Sequence, residues 1–265
     1  MPTFNSFNNQ NQQVTQEYDL TNKQTKGLFL TKVFGMMFLC LLITTVVAAG
    51  LGYGFQALLI RSAAENGGVI DVSSNLVVGM IVLLIGSAIA LLVMSFVLPI
   101  SFMRAKHNIL VPLIIYVVLM GILLSCFTWI FEPLIIVEGF GITALIFGVM
   151  ALLGYLSKGR VAGLGMVMLG LLIGAGLLAL FNFISILLGG ISEANVTISW
   201  IVSFAIFAFL MFMTMWDVAR INMIAERGMG SGNNLIYYCA YILYSDFIAI
   251  LIRVIYYLAI ITNRK

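Results

Sequence analysis

Long apolar stretches separated by short polar breaks organise this chain. Apolar residues dominate, without strand-like alternation, over about 33–60, 76–103, 109–131, 134–157, 161–188, 198–224 and 235–261. Each stretch reaches the about 20 residues that a helix needs to cross a bilayer. Strands of a membrane barrel would instead alternate apolar and polar positions, so the pattern predicts seven membrane helices. The breaks are legible too: RAKHN makes a tight turn after the second stretch, Glu132-Pro133 interrupts the third, and KGR closes the fourth. Residues 1–27 are polar and include the low-complexity run 8–13. They lack the apolar content for a core, which predicts a disordered tail ahead of a single transmembrane domain over 28–265. With a polar stretch coming first, no cleavable signal peptide is expected.

Composition identifies the solvent. Hydrophobic residues fill 62% of the 265 positions and charged ones 9%, against about 25% charged in a soluble domain. No water-soluble core of this size could hide so much apolar surface. Lipid, in turn, forces every backbone polar group into internal hydrogen bonds. The fold class expected is all-α, a polytopic integral membrane protein. The single histidine, His107, excludes a multi-histidine metal site, and nothing in the chain points to nucleic acid. Cys40, Cys126 and Cys239 lie inside apolar stretches without metal-ligand spacing and read as buried fillers.

Charge placement says more than the net charge of +3. Lys23, Lys26, Lys32, Arg104, Lys106, Lys158, Arg160, Arg220 and Arg227 fall in the tail or after the second, fourth and sixth stretches, whereas the alternate loops hold only Arg61. Basic residues are retained on the cytoplasmic side, so the N-terminus is expected there. Seven crossings then place Arg264 and Lys265 outside, against the rule. A re-entrant last segment would return them, but the length of the last stretch favours a full crossing. Glu65, Asp71, Glu132, Glu138 and Glu193 gather on the outer side. An acidic rim of Glu132, Glu138 and Glu193 would raise local cation concentration at a pore entrance. The plainer account is that acids weigh little in topology and fall where they may.

Some motifs carry no chemistry. Gly50/Gly54, Ala144/Gly148 and Gly170/Gly174 have helix-packing spacing. Gly139-Phe-Gly141-Ile-Thr-Ala144 superficially matches a dinucleotide fingerprint but lacks the preceding strand, and the turn over 228–234 lacks the P-loop lysine.

Asp217 and Asp246 are different. Each interrupts an apolar stretch, in FLMFMTMWDVARINMI and IYYCAYILYSDFIAILI, and a carboxylate inside a membrane signals function by default. Asp246 lies 11 residues past Leu235, about 16 Å down a helix. Asp217 sits about 10 Å inside if its helix continues through Ile224, though it could instead pair with Arg220 one turn on. Antiparallel neighbours would bring the two acids together. Such a pair shares one proton and titrates in two separated steps. Arg104, at the end of the second stretch, could serve as a removable counter-ion, or could simply fix topology. Arg253 is expected to snorkel to the outer interface. Calcium prefers 6 to 8 oxygens, so two aspartates make a weak site, which suits a conduit better than a store.

Four stretches in order, FLTKVFGMMFLCLLITTVVAA, EGFGITALIFGVMALLGYLSKGRVAGLG, WDVARI and LYSDFIAILIRVI, resemble the Bax inhibitor-1 (transmembrane Bax-inhibitor-motif) family, its bacterial members above all. The resemblance covers about 27–263. It implies six helices around a central seventh, and a calcium leak whose pH sensor is a carboxylate pair matching Asp217 and Asp246. It further implies that Arg104, after Ser-Phe-Met, latches that pair. Trp216, Val218 and Ala219 stand where the family usually has tyrosine, threonine and glutamine, and Ser245 and Ala249 where leucine and asparagine are common.

Three functions compete on this basis. The first is a pH-gated cation leak, most naturally for calcium, with no resident cofactor beyond a weakly bound calcium ion. The second is a non-conducting regulator of a membrane protease or stress pathway. The third, an intramembrane aspartyl protease, would need Gly-x-Gly-Asp where this chain has Leu243-Tyr244-Ser245-Asp246, so no enzyme is expected. The expected location is a bacterial inner membrane, with the endoplasmic reticulum as the alternative.

Overall fold

The computed structural model describes residues 23–65, 75–103, 108–157, 164–189, 192–227 and 233–262. These form eight helices: α1 Lys23–Glu65, α2 Asn75–Met103, α3 Leu110–Leu124, α4 Phe127–Ile130, α5 Pro133–Leu156, α6 Leu164–Gly189, α7 Glu193–Arg227 and α8 Asn233–Thr262. Seven spans within them are long and apolar enough to cross a membrane, the third being α3 and α4 together. Large apolar side chains stay outside, with Val46 70% and Leu145 71% exposed. That outer surface needs lipid as its solvent. The protein is an all-α integral membrane protein with seven spans.

Two boundaries differ from the sequence expectation. Lys23 to Gly27, assigned to a disordered tail, already belong to α1; nothing in KQTKG breaks the helix that the apolar stretch propagates. The third span is not one helix. Ser125 Oγ donates to the Ile122 carbonyl at 2.6 Å and Thr128 Oγ1 to the Ser125 carbonyl at 2.8 Å. These local side-chain bonds compete with the helical ladder and separate α3 from α4. The stop at Glu132-Pro133 is where the sequence puts it: Phe131 turns extended, at φ −120° and ψ 146°, and Pro133 opens α5, where its missing N–H is no loss.

The described residues divide into two compact units, one drawn from within 1–132 and 224–244 and the other from within 133–223 and 245–265. The last helix contributes to both. In the first unit, the Tyr244 hydroxyl of α8 and Thr44 Oγ1 of α1 are 2.6 Å apart, and Tyr116 of α3 meets Tyr241 edge-on at a centroid distance of 5.1 Å. In the second, Phe140 and Phe147 of α5 pack on Phe247 of α8. Burial covers 61% of the most apolar window of α8 but only 11–33% of the others, so α8 is the most buried of the seven spans. It is unbroken over its 30 residues, about 45 Å, which leaves no re-entrant turn among the described residues.

Candidate functional site

The buried face of α7 recurs at Thr214, Asp217, Val218, Ile221 and Ala225, spaced by three and four residues. That spacing is one helical face, so Asp217 points inward because its apolar neighbours must, and it is only 4% exposed. On α8, Leu243, Phe247 and Ile250 are buried around the half-buried Asp246. The second unit brings the two carboxyls into a side-chain hydrogen bond. A hydrogen bond between carboxyls needs a proton on one of them, and like charges at this distance cannot both ionise readily. Asp246 Oδ2 is buried without a hydrogen-bond partner.

Arg220, the alternative partner for Asp217, is exposed and acts on it only through its field. Asp217 therefore meets Asp246 rather than Arg220.

Glycines set how closely α5 approaches. A Cβ on Gly154 would lie 2.5 Å from the Met215 carbonyl oxygen and 3.0 Å from Val218 Cβ; one on Gly139 would lie 2.6 Å from Ile255 Cγ1. Gly154 thus holds α5 against the turn of α7 that carries Asp217. The small-residue pairs expected to pack do not make close contacts. Gly50, Gly54, Gly148, Gly170 and Gly174 have nothing within 4 Å of a built Cβ, and Ala144 is exposed. These small residues face outward, and the close contacts belong to others.

Sequence reasoning also missed Thr143. Gly139 meets Ile255 and Phe147 meets Phe247, so α5 and α8 run antiparallel and Thr143 stands opposite the turn of α8 following Asp246. Thr143 is fully buried and its hydroxyl has no hydrogen-bond partner. A threonine in a membrane helix is too common a residue to single out without that burial.

Other expected residues fall elsewhere. Arg104 lies outside the described residues, as do His107, Asp71 and the turn over 158–163. Glu132, Glu138 and Glu193 are exposed near helix ends. Among the described residues no group of three or more His, Cys, Asp or Glu could hold a metal ion. Arg253 does not simply snorkel outward: its Nη1 donates to Ser203 Oγ at 3.3 Å. Cys40 and Cys239 are buried, Cys126 is half-buried, and all three are free thiols.

A family model described as inhibitor of apoptosis-promoting Bax1 matches residues 27–263. No curated protein matches the chain.

Proposed function

Since the chain belongs to the Bax inhibitor-1 family, we propose that it is a pH-sensitive cation leak, with calcium as the ion and the Asp217–Asp246 pair as its sensor. The observation that carries this reading is the hydrogen bond between two carboxyls on neighbouring membrane helices. With the shared proton in place, the pair holds one negative charge. Losing that proton leaves two charges in a poorly solvated site, and a divalent cation is the natural compensation. Protons and calcium then compete for the same oxygens. Two carboxylates fall short of the 6 to 8 oxygens that calcium prefers, so binding is weak and the ion can leave, as conduction requires.

The unpartnered oxygens of Asp246 and Thr143 supply successive places where a cation or its water can rest along α8. Arg104, directly after α2, takes the role of removable counter-ion when the pair is doubly charged. The exposed Glu132, Glu138 and Glu193 draw cations towards the face opposite the N-terminus. On this reading the protein sits in a bacterial inner membrane with its N-terminus in the cytoplasm. It performs no catalysis and holds no resident cofactor.

The test is reconstitution of the full chain into liposomes loaded with a calcium dye. Calcium entry should depend on pH, and Asp217→Asn and Asp246→Asn should each lose that dependence. Undiminished flux in Asp246→Asn sinks the proposal. Biological activity that persists with both aspartates changed to asparagine would point instead to a non-conducting regulator acting on a membrane protease.

A further inference from the structure

Away from the aspartates, the second unit contains a cavity of about 330 Å³ lined by α6, α7 and α8. Its polar wall is formed by Asn182, Ser199, Ser203 and Arg253, and its apolar part includes Phe183 and Tyr256. Those last two are 60% and 49% exposed, so the cavity adjoins the lipid-facing surface. All three helices place it at a similar depth. Asn182 precedes the end of α6 at Gly189, Ser199 follows the start of α7 at Glu193, and Arg253 precedes the end of α8 at Thr262. At 1.5 Å per residue each lies roughly 9–14 Å in from the same face. A charge within a span thins the bilayer locally and brings headgroups towards it.

Two features of the wall are chemically incomplete. Arg253 carries a full charge within a membrane span, where charges are ordinarily paired. It donates to Ser203 Oγ, whose oxygen is 2.8 Å from the Tyr257 hydroxyl, and no carboxylate pairs with it among the described residues. Asn182 is 8% exposed. Its Nδ2 donates to Ser199 Oγ at 2.7 Å, while Ser199 gives its own proton to the Asn195 carbonyl at 2.9 Å. Turning the amide over would therefore set two acceptors against each other. This orientation makes two hydrogen bonds where the reverse, with the Ser199 hydroxyl turned to the amide oxygen, makes one; it leaves the acceptor Oδ1 buried without a partner.

We propose that this cavity binds the headgroup of an anionic phospholipid that carries a free hydroxyl, of which phosphatidylglycerol is the simplest. The phosphodiester accepts from Arg253, the headgroup hydroxyl donates to Asn182 Oδ1 once a turn of that side chain opens the buried oxygen to the cavity, and the acyl chains lie along the exposed Phe183 and Tyr256. Choline has no N–H or O–H to offer Asn182. An ethanolamine ammonium could donate, but would set a second cation beside Arg253. A soluble phosphate would leave the apolar part of the cavity unused.

Native mass spectrometry of the full chain, released from detergent with matched-chain phosphatidylglycerol, phosphatidylmethanol and phosphatidylcholine, tests this. The wild type should retain phosphatidylglycerol most, phosphatidylmethanol (same charge, no hydroxyl) less, and phosphatidylcholine least. Arg253→Gln should lower phosphatidylglycerol retention about tenfold or more, the usual weight of a charge-assisted hydrogen bond, and Arg253→Lys should recover part of it. Asn182→Leu leaves the charge in place; it should abolish the preference for phosphatidylglycerol over phosphatidylmethanol while both still exceed phosphatidylcholine. This second variant keeps the test decisive if Arg253→Gln folds poorly. Equal retention of the three lipids overturns the proposal, as does a phosphatidylglycerol adduct indifferent to a folded Arg253→Gln. Displacement of the adduct by inorganic phosphate would assign the site to a soluble anion and equally overturn it.

Discussion

A buried oxygen left without a hydrogen bond costs about 1–3 kcal/mol, so a fold that keeps several in one unit keeps them against its own stability. Asp246 Oδ2 and Thr143 Oγ1 are two such atoms, and they allow stability and function to be separated. Thr143→Val is nearly isosteric and removes only the unsatisfied hydroxyl. It should leave thermal stability in detergent unchanged or raise it, while lowering calcium flux in liposomes if that oxygen serves the ion; an unaltered flux would remove Thr143 from the path. The pair itself predicts a sign for pH. On the proposed reading calcium displaces the shared proton, so calcium affinity should fall as pH falls, and calcium binding should release protons. Isothermal titration in two buffers of different ionisation enthalpy reads that release, which Asp246→Asn should abolish. The two aspartates were legible in the sequence because a charge within an apolar stretch is rare. Thr143, Asn182 and Tyr244 were not, because hydroxyls and amides are ordinary in membrane helices and only burial separates those that matter.

Between helices, the deciding quantity is how near two backbones come, and here spacing alone misleads. With 25 glycines in the chain, pairs four residues apart arise on every face. The pairs that look like packing motifs face outward, whereas the working glycines, Gly139 and Gly154, lie on a buried stripe of α5 that also holds Ile135, Thr143, Phe147 and Ala151. The pattern of buried neighbours identifies that stripe; the small residues by themselves do not. Their substitutions should rank accordingly. Gly154→Leu drives a side chain into the Met215 carbonyl, a backbone atom that cannot swing aside, and should cost about 1–3 kcal/mol or more. Gly139→Ala meets Ile255 Cγ1, a side-chain atom that can shift where a backbone carbonyl cannot, and should cost less. Gly148→Ala has open space and should be neutral or slightly stabilising, since alanine is the better helix former. Thermal unfolding of the three variants in one detergent checks the order, and Gly154→Leu should also depress aspartate-dependent flux by moving the turn that carries Asp217. The break between α3 and α4 was hidden for a related reason: Ser125, Cys126 and Thr128 read as apolar-compatible residues until their side chains are seen bonding to the backbone of the preceding turn.

At the scale of the chain, the number of crossings fixes which ends share a face. Hydropathy read this number directly, because seven spans of sufficient length emerge from the sequence and again from the helices. What it left unsettled was the last segment, where Arg264 and Lys265 argue for a return and length argues for a crossing. An uninterrupted α8 favours the crossing, since a re-entrant path needs a bend, and backbone exposed by a bend in lipid would need other partners. Two terminal charges weigh less than that, because charges near a C-terminus compete with the many basic residues that precede them. The consequence can be read with an impermeant maleimide on a chain whose three native cysteines are replaced by alanine. Ser192→Cys, Asn233→Cys and Thr262→Cys are all exposed positions at helix ends. With α7 and α8 both crossing, Ser192→Cys and Thr262→Cys should label together and Asn233→Cys separately. In intact cells the first two should react from outside, and Asn233→Cys only after permeabilisation. Labelling of Thr262→Cys with Asn233→Cys would restore the re-entrant path. The reverse sidedness for all three would keep seven crossings but invert the molecule, placing Glu132, Glu138 and Glu193 on the cytoplasmic face, where they could not gather cations from outside.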